Sequence, residues 1–115
     1  MIPDYQSLMR PVLAHAAHGE VRISDLIPAL SAELGLSEAE RAELLPSGKQ
    51  TVIANRVHWA KTYLKQAGLV AATRRGHFVI TERGRAALAN TGIQIDNLLL
   101  RQFEEFQAFQ GRSAE

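Results

Sequence analysis

Lys61 and Lys65 stand one helical turn apart, and Thr51, Asn55, His58 and Thr62 fall around them at helical spacing. Side chains of this kind do one sort of chemistry well. They hold a polyanion by its charge and read hydrogen-bonding edges with amide, imidazole and hydroxyl groups. Asn55 matches the donor–acceptor pair of adenine, and Thr51 or Thr62 suits a base edge or a thymine methyl. His58 is a second candidate base reader. Lys49 and Gln50 lie where a helix N-terminus would meet a phosphate with help from the helix dipole. Arg74 and Arg75, followed by Gly76 and His77, form a basic tip suited to a minor groove or a phosphate backbone. Lys61, Lys65 and Arg75 are the expected phosphate contacts. Arg56 borders an apolar stripe, so an intramolecular partner is as good a reading for it. Trp59 reads as core or half-buried support, not as a stacking platform.

Charge distribution supports the same surface. Residues 47–85 hold eight basic side chains and one acid, Glu82, a balance of +7 in a chain of net charge +1. No acid occurs between Ser47 and Arg75. An ordinary solvated helix face carries some glutamate for solubility and for pairing one turn away. A face without any suits phosphate contact and counterion release.

The elements that must position these residues follow from periodicity. Ile53, Val57, Ala60, Leu64 and Ala67 recur at steps of four and three and lie within about 40° of one direction on a helix. They predict a helix over 50–67 whose opposite face carries Thr51, Asn55, His58, Thr62 and Lys65. Residues 69–73 and 77–80 read as a hairpin with Arg74, Arg75 and Gly76 at its tip. Upstream, residues 4–18 predict a first helix capped by Asp4 and kinked or split by Pro11. Val21 and Ile23 suggest a small strand. Ser24 is the expected cap of a second helix, with Pro28 in its first turn and Gly35 at its end. Ser37 and Glu40 match a capping box for a short helix over 38–45. Thr81 is the expected cap of another short helix. One further amphipathic helix is expected around Ile95, Leu98, Leu99, Phe103, Phe106 and Phe109.

Helices closed by a basic two-stranded hairpin describe a mainly α (α+β) fold, a winged helix-turn-helix with an extra C-terminal helix. The expected division is a winged-helix unit over 1–92 and, over 93–115, an amphipathic helix with a linker. Residues 95–109 are a candidate homodimer surface, although packing on the chain's own domain is favoured.

Other chemistry is poorly supported. His15 and His18 share a helix face, but no third metal ligand stands at useful spacing. The stretch "PSGKQT" lacks the first glycine of a phosphate loop. Ser47 has no nucleophile-elbow context. Glu104 and Glu105 are adjacent and point apart. There is no Glu-x-Lys or Gln-x-Lys, so the carboxylate–lysine signature of many metal-dependent nucleases is missing. No catalytic site and no cofactor or metal site is expected in this chain. With no cysteine, a disulfide scaffold and a thiolate metal site are excluded. No secretory signal is read in the first residues, no apolar run reaches the length of a membrane helix, and a cytoplasmic location is expected.

Four stretches carry a family resemblance: "PDYQSLMRPVL" (3–13), "LSEAERAELLPSGKQTVIANRVHWAKTYLKQAGLV" (36–70), "RRGHFVITERGRA" (74–86) and "IDNLLL" (95–100). Through them the chain resembles the N-terminal domain of the Mrr family of restriction system proteins. The resemblance implies a winged-helix module that binds double-stranded DNA. In the full-length family it precedes a C-terminal nuclease domain of the PD-(D/E)xK type, which cuts DNA bearing modified, for example methylated, bases. It transfers no base-reading motif, so the contact residues above rest on geometry alone. A free-standing winged-helix transcription regulator and a protein-interaction winged helix are the alternatives.

Overall fold

Apolar residues at three- and four-residue spacing make two helices that bury each other. In the computed structural model, which describes residues 1–113, these are α1 (Tyr5–Ala16) and α4 (Val52–Gln66). Leu8, Met9, Val12 and Leu13 meet the stripe of Ile53, Val57, Ala60 and Leu64, and all are buried. Between them in sequence lie β1 (Val21–Arg22), α2 (Ile23–Glu33) and α3 (Glu38–Ala42). After α4 come β2 (Val70–Arg74), β3 (His77–Ile80), α5 (Glu82–Ala89), α6 (Asn97–Leu100) and α7 (Glu104–Ser113). The three strands form an antiparallel sheet in the order β1-β3-β2. This is a winged helix, with α4 as the helix before the wing and β2–β3 as the wing.

Several caps fall where the sequence places them. Asp4 accepts from the Ser7 N–H, Ser37 and Glu40 close a capping box, and Thr81 accepts from the Gly84 N–H. Each satisfies a donor that a helix start leaves open. Gly35, at φ 66°, follows the end of α2.

Other details differ from the expectation. Pro11 does not split α1. It removes the donor to the Ser7 carbonyl, and Ser7 is exposed, so solvent can take that place. Ser24 is not a cap. Helix α2 starts two residues earlier than that cap would give, straight out of β1, and the Ile23 N–H is satisfied by the Gly76 carbonyl of the wing at 2.9 Å. That earlier start moves Pro28 from the first turn to the sixth helical residue. Helix α3 ends at Ala42, short of residue 45, because the chain turns extended there. Leu44 bridges Thr51, and the Val52 N–H donates to the Glu43 carbonyl at 2.8 Å. Residues 44–51 therefore form a small projecting loop at the start of α4.

The single C-terminal helix is replaced by two, α6 and α7. Leu100 and Phe106 are both fully buried. Six positions apart on one helix they would point about 120° away from each other. The break at residues 101–103 lets both enter the core. Phe106 and Phe109 then pack edge-on around Tyr63, with centroids 5.5 and 5.4 Å from its ring. Ile95, Leu99, Leu100, Phe103, Phe106 and Phe109 thus join the same core as α1 and α4, and Leu98 stays exposed.

Candidate nucleic-acid interface

Burying one face of α4 leaves the other outward. His58 and Lys65 are exposed there, and Asn55, Lys61 and Thr62 are half-buried. At its N-terminal end the 44–51 loop carries Lys49, exposed, and Gln50, half-buried. The wing brings Arg74 and Arg75, both exposed, and half-buried His77. The positions singled out in the sequence thus lie on three neighbouring elements: the loop, α4 and the wing.

Their side chains are not equally available. Thr51 is the N-cap of α4, and its hydroxyl oxygen accepts from the Ala54 N–H at 3.2 Å. Its O–H donor and one lone pair remain. Asn55 donates through Nδ2 to Gln50 Oε1 at 3.2 Å, which fixes the two amides on each other. Asn55 keeps a second N–H and its carbonyl, the pair that adenine recognition uses. Arg74 donates to Glu20 Oε1 at 3.0 Å. The ring Nδ1 of His77 lies 2.8 Å from the Arg75 carbonyl, a bond that requires the N–H on that nitrogen.

Two basic residues of the +7 segment are structural. Arg56 donates to the carbonyls of Ile2 and Pro3 at 2.7 and 3.1 Å, the intramolecular role foreseen for it. Arg83 donates to the Ala67 carbonyl and to Glu105, each at 2.8 Å, and lies 4.4 Å over the Phe103 ring. Among the described residues, the side chains of Lys49, Lys61, Lys65, Arg75 and Arg85 make no ion pair and no hydrogen bond within the chain.

The charges on α4 also strain one another. His58 keeps much of its surface in water, but the part that the protein covers, and then the Lys61 charge, push its pKa below the usual histidine value. Burial, and then Lys65, push Lys61 below the usual lysine value. An approaching anion would relieve the repulsion in both cases. The shift favours the neutral ring, which offers one donor and one acceptor.

Sequence reasoning missed three features. Glu20 stands on the wing, where its Oε2 accepts from the Thr73 hydroxyl at 2.6 Å and Oε1 from Arg74. The acid-free stretch of sequence is therefore not an acid-free surface. Arg22 lies beside it in the sheet, paired with His77 and bound to Asp25 at 2.9 and 3.1 Å. Nothing in the local sequence signals the first contact, which spans more than fifty positions. Trp59 is 48% exposed at the edge of the polar face and touches Tyr63 edge-on at 6.0 Å. It is less covered than a supporting role implied.

The described residues hold no cluster of three metal-ligating side chains. His15 instead lies 2.6 Å from Glu33. A cleft of about 590 Å³ is lined by residues including Asp4, Glu40, Glu43 and Arg56, and by none of the outward polar residues of α4. No described helix is long and apolar enough to cross a membrane.

No solved structure matches the chain. The chain is 35% identical over 85 residues to the type IV methyl-directed restriction enzyme EcoKMrr of Escherichia coli (strain K12). That match covers 72% of this chain and 28% of the enzyme, so the chain spans well under a third of its relative. The family model of the Mrr N-terminal domain matches residues 5–90, from the first residue of α1 to the end of α5. The winged helix with its outward basic face is, on these grounds, a member of the Mrr N-terminal domain family.

Proposed function

We propose that the chain binds double-stranded DNA through the outer face of α4, the 44–51 loop and the wing. It would thereby position the nuclease domain of a modification-dependent restriction endonuclease. The observation that carries this reading is the group of uncompensated cations: Lys49, Lys61, Lys65 and Arg75 on three adjoining elements, with Asn55, His58 and Thr62 between them. Lysines and arginines hold phosphates and set register, and the smaller polar groups reach base edges. Cleavage belongs to a C-terminal domain of the PD-(D/E)xK type, for which these residues supply no catalytic group. Residues 1–92 form the DNA-reading unit in this proposal, and residues 93–115 lead toward the nuclease. A cytoplasmic location follows from the DNA substrate.

The relative's printed description, methyl-directed, extends to this chain as a proposal about the DNA it meets. Fluorescence anisotropy with matched methylated and unmethylated duplexes across a salt series tests both parts. Binding whose log K falls with log salt, at about −0.9 per phosphate neutralised, supports the interface. A gap between the two duplexes places modification sensing in this domain, and equal curves place it elsewhere. Absence of binding at low salt overturns the reading and favours a protein partner. A stable dimer and a promoter-sized palindromic footprint would favour the free-standing regulator reading. With Phe106 buried in its own chain, residues 95–109 offer such a dimer chiefly Leu98, which is 74% exposed.

A further inference from the structure

Glu20 places its two carboxylate oxygens on two different donors of the wing, Oε2 on the Thr73 hydroxyl and Oε1 on the Arg74 guanidinium. A phosphodiester has the same make-up: two free oxygens sharing one negative charge, bound by hydroxyl and guanidinium groups. All three residues are exposed, so the exchange of one anion for the other needs no unfolding. The fold does not need the carboxylate. Strand β1 is held by backbone pairing of Val21 with Phe78 and Arg22 with His77. An exposed ion pair of this kind adds little stability. The neighbouring arginine repeats the pattern, since Arg22 is covered by Asp25. Arg75 at the tip has no carboxylate partner among the described residues.

Resting on the DNA reading above, we infer that Glu20 is a specificity-determining residue that competes with DNA phosphate for Thr73 and Arg74. It keeps Arg74, at the tip end of β2, electrically neutral toward any duplex that cannot displace it. Bare charge on the interface then comes from Lys49, Lys61, Lys65 and Arg75, and non-specific binding is held down. A duplex seated in register recruits Arg74 as an additional phosphate contact.

The test compares the wild type, Glu20→Gln, Arg74→Gln and the double variant on one unmodified, fluorescein-labelled duplex over a salt series. Glutamine can still accept from Thr73 but frees the charge of Arg74. Glu20→Gln is expected to bind up to about eightfold more tightly at 0.1 M salt, with a slope steeper by about 0.9. In the Arg74→Gln background the steepening disappears. A wild type that binds while Glu20→Gln shows an unchanged slope, or weaker binding, overturns the competition and leaves the interface standing. Steepening that persists without Arg74 overturns it too, because the effect is then general charge. A wild type that fails to bind at low salt removes the interface and this inference together. An unchanged thermal midpoint of Glu20→Gln excludes unfolding as the source of any difference.

Discussion

Gly84 lies against the backbone of Leu69: a Cβ built on the glycine would stand 2.1 Å from the Leu69 carbonyl oxygen and 2.8 Å from Ile80 Cγ1. That carbonyl also accepts from the Thr81 N–H at 3.0 Å, at the junction of the wing and α5. The carbonyl cannot yield without moving the backbone that leads into β2. Gly84→Ala is therefore expected to cost about 3 kcal/mol or more, at the upper end of overpacking. Urea unfolding measures it, and a loss under 1 kcal/mol would contradict this packing.

Phe106 is fully buried and packs on Tyr63, so Phe106→Ala should lose about 3–5 kcal/mol. The molecular mass in sedimentation should stay the same. A fall from dimer to monomer would mean that the stripe serves a second copy. Leu98→Ser, on an exposed side chain, should leave stability within about 0.5 kcal/mol.

The eight basic residues of the interface segment should separate into two groups in a salt series. Lys61→Gln and Lys65→Gln are each expected to flatten the slope of log K against log salt by about 0.9. Arg56→Gln should leave that slope alone and instead cost about 1–3 kcal/mol of stability through its lost carbonyl contacts. If Arg56→Gln flattens the slope as well, the division into structural and phosphate-facing cations fails.

His58 gives a pH signature with opposite signs in the free and bound chain. Its folded pKa lies below the ordinary 6.5, so on acidification the unfolded chain takes up the proton first. Stability attributable to His58 thus falls as pH drops below about 6.5 and levels off below the depressed value. Bound phosphate favours the charged ring, so DNA affinity should rise over the same window. His58→Gln should remove both trends when unfolding and anisotropy are measured from pH 8 to pH 5. Parallel curves for the two proteins would rule out this role.

The parts of the fold legible in the sequence are those governed by local chemistry. The buried stripe of α4 follows from its spacing, and Asp4, Ser37 with Glu40, and Thr81 announce their helices through one hydroxyl or carboxylate each. What escapes depends on partners distant in sequence. Ser24 has the right chemistry for a cap, but the wing's Gly76 carbonyl reaches Ile23 first. The break between α6 and α7 arises because two large side chains must enter one core from different directions. At the candidate site, the positions of the lysines were legible. The attachment of Thr51, Gln50 and Arg74 to partners in the chain was not, and for Arg74 that partner comes from a different element.

Tyr63, on the inner side of α4, meets Tyr5 at 5.0 Å as well as the two phenylalanines of α7. A helix mounted on three aromatic rings gives up little backbone freedom when it docks. The entropy lost on association then falls on the long side chains alone, at about 0.5–1.5 kcal/mol for each one immobilised. On the proposed DNA reading, such a mount makes docking close to rigid, so any deformation that the fit requires falls mainly on the duplex.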